Sequence, residues 1–195
     1  VDFARRIVEG SARFQLDRDG AGPWDLDTRG LVIREVRAAG IPSLPHTLEP
    51  ADPILGQRLR IHLPPGVREV EIRYRTTRDS TALQWLSPEQ TGGKQHPFLF
   101  SQCQAIHARS LVPCQDTPRV RIPYRAALTV PRALTAVMSA GAIGVEPLGD
   151  ERIFRFEMPQ PIPPYLLALA VGDLESRELS PRSRIWAESP VIEAG

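Results

Sequence analysis

Cysteine is nearly absent, since the 195 residues hold only Cys103 and Cys114. That is too few for the disulfide framework of a small secreted domain, and a chain this long can bury a core without one. A cytoplasmic protein is therefore expected. Long hydrophobic runs are also missing: nothing approaches the roughly 20 apolar residues of a membrane span. The longest apolar stretch, Tyr165 to Gly172, suits a buried strand instead, and no segment reads as a signal peptide. Charge of one sign is lacking too. Lys plus Arg total 24 against 23 Asp plus Glu, a net charge of +1, so no polyanionic partner such as nucleic acid is indicated. Arg34, Arg37, Arg68, Arg73, Arg75 and Arg78 are interleaved with Glu35, Glu69 and Glu71, the pattern of a solvated strand face.

What is present in quantity is turn-forming residues, 20 prolines and 14 glycines, between short alternating segments. Val120, Ile122, Tyr124, Ala126, Leu128 and Val130 fall on one face at period two. Leu59, Ile61 and Leu63, then Pro64-Pro65-Gly66, then Val70, Ile72 and Tyr74 predict an antiparallel hairpin. Further strand candidates are 10–16, 23–27, 31–38, 133–138, 152–157, 166–172 and 184–187, giving about ten strands in all. No intervening segment is long enough for a crossover helix, which argues against a parallel sheet. The expected fold class is all-β, a curved, mostly antiparallel sheet or sandwich, with residues 1–195 forming a single domain. Ser87 to Pro118 breaks the rhythm with six prolines or glycines, both cysteines, His96 and His107, so an irregular functional loop is expected there.

That loop carries residues suited to several chemistries. Cys103 and His107 stand four apart, as a thiol hydrolase dyad on one helix face would, but no third orienting group is in view. A buried structural cysteine beside a hydrogen-bonded histidine is the better reading. His96, Cys103, His107 and Cys114 are zinc-type residues, yet their gaps of seven, four and seven do not match paired ligand spacings. Gly92-Gly93-Lys94 lacks the length of a phosphate loop and reads as a turn. Asp25, Asp27, Asp79, Asp116 and Asp173 occur singly at turn-like positions, where local backbone bonding explains them. Gln102 and Gln104, two apart in an extended segment, would present two amides on one side to a polar ligand group. Residues alone leave open whether those amides bind a ligand or the nearby loop backbone.

The run FLFSQCQAIHARSLVPCQDTP from Phe98 to Pro118, after LQWLSPEQT at Leu83 to Thr91, closely resembles zinc aminopeptidases of the leukotriene A4 hydrolase and aminopeptidase B type. The signature Q-C-Q-A-x-x-x-R-x-x-x-P-C-x-D-T-P is complete from Gln102 to Pro118, with Ala108 where a relative has cysteine. Later stretches, Ala136 to Ala140, Pro161 to Leu166 and Gly172 to Arg184, resemble the same family. The resemblance implies a saddle-like amino-terminal β domain beside a downstream catalytic domain of the same polypeptide. It implies peptide as substrate and zinc as cofactor, with the metal held downstream by an HExxH helix that these 195 residues lack. It also implies that Gln102, Cys103, Gln104 and Ala105 line the peptide site while none of them is catalytic, and that Arg109, Pro113, Cys114, Asp116 and Thr117 anchor the loop. Pro190 to Gly195 falls where the family's next domain begins, so a piece of a longer protein is expected. The rival reading is a free-standing β-sandwich binding or scaffold module without enzymatic activity.

Overall fold

The computed structural model describes residues 1–192, apart from the side chains of Arg18 and Asp19. Of the Pro190–Gly195 segment expected to lead into a further domain, residues 193–195 therefore lie outside the described residues. All-β architecture is observed, and every strand pairing is antiparallel. The first sheet holds β1 (Glu9–Thr28), β2 (Val32–Ala38), β3 (His46–Leu48) and β4 (Gln57–Arg75) in the order β1-β4-β2, with β3 also on β4. A second sheet joins β5 (Leu83–Leu86), β6 (Phe98–Ser101), β8 (Thr135–Met138) and β11 (Leu169–Gly172) in the order β5-β6-β11-β8. A third joins β7 (Ile122–Pro131), β9 (Gly141–Leu148) and β10 (Glu151–Ile162) with β10 central. Finally β12 (Leu174–Ser180) and β13 (Ser183–Glu188) form a two-stranded ribbon that ends in the single-turn helix α1 (Ser189–Ile192).

The hairpin expected around Pro64-Pro65-Gly66 does not form, because the chain runs straight on as one strand, β4. Likewise 10–16 and 23–27 are two halves of β1. The ladder explains why. Glu9 to Gln15 pair with Arg75 to Glu69 and Gly22 to Thr28 with Leu63 to Gln57, but the register shifts in between. Pro64, Pro65 and Gly66 fall in that gap, where the missing prolyl N–H groups cost no ladder bond and Gly66 takes φ 85°. At the second register shift, between Val67 and Val70, the inward positions switch from Leu59, Ile61, Leu63 and Val67 to Val70, Ile72 and Tyr74, all buried. Both halves thus share one core with Leu26, Val36 and Leu44, each such side chain adding about 1.5–3 kcal/mol of burial.

A second core lies under the other sheets and includes Leu83, Leu99, Cys103, Ala108, Cys114, Val130, Phe154, Phe156 and Val171. Along β7 the predicted face is right, grading from exposed Ile122 to fully buried Val130. The strand expected over 166–172 is shorter, since Pro164–Leu166 form a 3-10 turn before β11 begins at Leu169. Strands β3, β5, β6, β9 and β12 fall outside the expected segments. Among the described residues no helix is long and apolar enough to cross a membrane.

Candidate functional site

The loop after β6 is a turn with a buried base and an exposed rim. Gln102 N–H donates to the Ala82 carbonyl at 2.8 Å, which fixes where the chain leaves the sheet. Gln104 N–H then donates to Gln102 Oε1 at 2.9 Å, and the Gln104–Ala105 peptide bond is cis. His107 N–H closes a helical turn on the Cys103 carbonyl at 2.9 Å, and a 3-10 turn follows at Ala108–Ser110. Gln102, Gln104 and Ala105 are exposed, while Cys103, Ala108, Arg109 and Ser110 are buried. The segment is therefore not the extended one that would align the two amides. Gln102 Oε1 is already engaged by backbone, whereas the Gln104 side-chain amide makes no hydrogen bond among the described residues. Its carbonyl oxygen is the freer acceptor for an incoming N–H group.

Two networks hold the base rigid. In the first, Arg109 Nε and backbone N–H both donate to Asp116 Oδ2 at 3.1 Å, Nη2 donates to the Asp116 carbonyl at 3.0 Å, and Nη1 donates to the Leu55 carbonyl at 2.7 Å. The two side chains are only 5% and 1% exposed. Asp27 ties this pair to the end of β1, accepting Asp116 N–H at 2.9 Å through its carboxylate and pairing its backbone with Cys114. In the second, Ser110 Oγ accepts from Ala82 N–H at 2.9 Å and donates to the His107 carbonyl at 2.8 Å. Thr81 Oγ1 lies 3.2 Å from Ser110 Oγ and 2.8 Å from His107 Nδ1.

These contacts remove the competing chemistries. Burial, together with the Asp116 carboxylate, pushes the Cys103 thiol up to about 12, and burial pushes Cys114 well above its ordinary range. The His107 ring is hydrogen-bonded through Nδ1 to Thr81 Oγ1 and makes no bond to the Cys103 thiol among the described residues, so the pair lacks the activated thiolate of a thiol hydrolase. No group of three His, Cys, Asp or Glu able to hold a metal occurs among the described residues. His96, Cys103, His107 and Cys114 are not brought together as such a group among the described residues. At the Gly92-Gly93-Lys94 turn, Gly92 N–H is occupied by the Glu188 carboxylate at 2.8 Å. Asp116 is not the local turn-former that its isolated position suggested but a buried ionic anchor. A surface hollow of about 260 Å³ beside Phe3, Arg6 and Trp85 contains none of Gln102–Ala105.

Residues 26–166, which include this whole loop, match the model of the Peptidase M1 N-terminal domain family. The chain belongs to that family. As an M1 N-terminal domain it is 41% identical over 203 residues to leukotriene A-4 hydrolase of Xenopus laevis, covering 99% of this chain and 33% of that protein. It is 42% identical over 172 residues to leucine aminopeptidase 2 of Aspergillus terreus, covering 85% of this chain and 28% of that protein. Native yeast LTA4 hydrolase matches with a TM-score of 0.84 at 37% identity over 97% of this chain and 30% of the other. An M1 zinc metallopeptidase from Deinococcus radiodurans matches with a TM-score of 0.71 at 19% identity, which extends the fold alone. The M1 N-terminal domain spans about a third of the length of the curated relatives it matches.

Sequence reasoning missed Thr81 and Asp27 as partners of the loop, and Ser80, whose Oγ donates to the Ser110 carbonyl at 2.8 Å. No local pattern marks them, because each reaches the loop from another strand or turn.

Proposed function

We propose that residues 1–195 act as one non-catalytic β domain of a zinc aminopeptidase that removes amino-terminal residues from peptides. The domain closes one side of the active-site cleft and positions the substrate amino end. Gln104 accepts a hydrogen bond from the peptide amine, Gln102 holds the turn that aims it, and Ala105 leaves room beside it. Cys103 contributes from below, as a buried wedge under the rim. The observation that carries this reading is the exposed Gln102–Gln104–Ala105 rim on a locked base, inside the stretch that matches the family. Carboxamides orient a ligand without exchanging protons, so chemistry must come from elsewhere. On this proposal zinc is held by a following catalytic domain of the same polypeptide. A cytoplasmic location is supported by two buried free cysteines.

The test compares the 195-residue chain with the full-length parent for zinc content and for hydrolysis of arginyl and alanyl aminoacyl-arylamides. Zinc and activity confined to the parent are expected. Zinc-dependent hydrolysis by the 195-residue chain alone would overturn the proposal.

A further inference from the structure

The hollow of about 260 Å³ at the end of β5 is walled by Phe3, Trp85, Leu86, Pro88 and Pro97, with Arg6 at its side. The Phe3 and Trp85 rings meet edge to face, 5.4 Å apart and at 88°, and form an aromatic corner. Trp85 Nε1 is buried and has no hydrogen-bond partner among the described residues. Backbone contacts fix Arg6 beside this corner. Asp2 and Ile7 exchange both backbone bonds, at 3.0 and 3.1 Å, Asp2 Oδ1 accepts Arg5 N–H at 2.8 Å, and Arg6 sits in the turn at φ 55°. A left-handed arginine is uncommon and persists only where its surroundings impose it. Arg6 is exposed and makes no hydrogen bond or ion pair among the described residues. The nearby carboxylates are engaged elsewhere: Asp2 pairs with Arg5 at 3.7 Å, and Glu89 is held by the Ser87 hydroxyl and faces Lys94. Arg78 brings a second cation to the same turn, donating to the Arg5 carbonyl at 3.1 Å.

We propose that this hollow binds a small aromatic carboxylate, with its ring against the Phe3–Trp85 corner and its carboxylate on the Arg6 guanidinium. Size, lining and charge together select that class. A cavity of roughly 150 Å³ is enough for benzene, so about 260 Å³ leaves room for a ring with a short carboxylate arm. The walls are flat rings, Phe3, Trp85, Pro88 and Pro97, which suit another ring better than a flexible acyl chain. A guanidinium without a counter-ion takes a carboxylate through two parallel N–H bonds. An inorganic anion would leave the apolar walls wet, and a neutral arene would leave Arg6 unanswered. One side of the hollow stays open to water, so affinity is modest, with Kd about 1 mM for a ligand of about ten non-hydrogen atoms.

The experiment titrates phenylacetate into fluorotryptophan-labelled protein, both the 195-residue chain and the full-length parent, and follows fluorine NMR. Trp85→Phe assigns the Trp85 signal, and phenylacetamide and acetate serve as controls. The expected result is a saturable shift of the Trp85 signal, with those of Trp24 and Trp186 unmoved. Phenylacetamide and acetate should each bind at least about tenfold more weakly, since each lacks either the charge or the ring. Arg6→Gln should weaken phenylacetate by a similar factor at an unchanged urea midpoint, whereas Arg5→Gln, at a neighbouring arginine outside the hollow, should not. No saturable shift, a common shift of all three tryptophans, or equal binding of the amide would overturn the proposal. So would binding by the 195-residue chain that is lost in the parent, because the hollow would then be covered by the rest of the polypeptide. Aminopeptidase activity does not enter the readout, so the proposed enzyme function can fail without deciding this site.

Discussion

Removing the Asp116 carboxylate, by Asp116→Ala, should be among the most damaging single changes in the loop. The substitution strips Arg109 of both bonds to Oδ2 but spares its bonds to the Asp116 and Leu55 carbonyls. A guanidinium 5% exposed then lies in the core with only the Asp27 carboxylate, 3.7 Å from Nη1 and itself 40% exposed, as counter-charge. Breaking a buried pair from one side costs about 3–5 kcal/mol. Because two carbonyl bonds and Asp27 survive, the lower end applies, about 3 kcal/mol. For a chain of this size that corresponds to a fall of roughly 6–12 °C in Tm. Urea unfolding of the 195-residue chain followed by tryptophan fluorescence reads the loss. The double substitution Arg109→Met with Asp116→Leu should recover most of it, since no charge is then left unpaired. A loss below about 1 kcal/mol for the single variant would refute the claim that this pair anchors the loop.

Other consequences are equally open to measurement. Glu71 is held down to about 2, first by the Ser11 hydroxyl and then by Arg37. A depressed carboxyl stabilises the fold above its unfolded value near 4.5 and loses that contribution as pH falls toward 2. Glu71→Gln should therefore cost about 1 kcal/mol at pH 7 and flatten the stability profile across that window; an unchanged profile would contradict the ladder contacts. Cys103 and Cys114 should resist an aromatic disulfide reagent at pH 8 in the folded chain and react only on unfolding, whereas rapid native labelling would show the base of the site to be open. Gly56 takes φ 80°, and a β-carbon added there would clash with the Thr28 carbonyl oxygen, so Gly56→Ala should destabilise by about 1–3 kcal/mol in the same urea assay.

Local alternation made the strands with one buried face legible: β7, both halves of β4 and the core of β10 follow from period-two apolar residues. What alternation cannot show is whether a proline-glycine run turns the chain or bulges it. Pro64-Pro65-Gly66 could do either, and the decision rests with β1, whose register shift sits opposite. Strand β9 escaped notice because its outward residues, Ile143, Val145 and Leu148, are apolar and exposed, which erases the pattern. Gln102 and Gln104 could be singled out by type and spacing, but their inequality could not. It arises from one backbone bond, Gln104 N–H to Gln102 Oε1, in a turn that spacing alone would draw as extended. Arg109 and Asp116, seven residues apart, become partners only because Asp27 and Leu55 close around them from distant parts of the chain.

The most direct measurement is kcat/KM of the full-length parent on an aminoacyl-arylamide, before and after Gln104→Ala, with the urea midpoint recorded for both. The Gln104 side chain makes no hydrogen bond among the described residues, and its backbone bond to Gln102 survives the substitution, so the midpoint should not move. A hydrogen bond to a charged amine is worth about 1.5–3 kcal/mol, so kcat/KM should fall roughly 10- to 100-fold. An unchanged kcat/KM at an unchanged midpoint would contradict the role assigned to the rim.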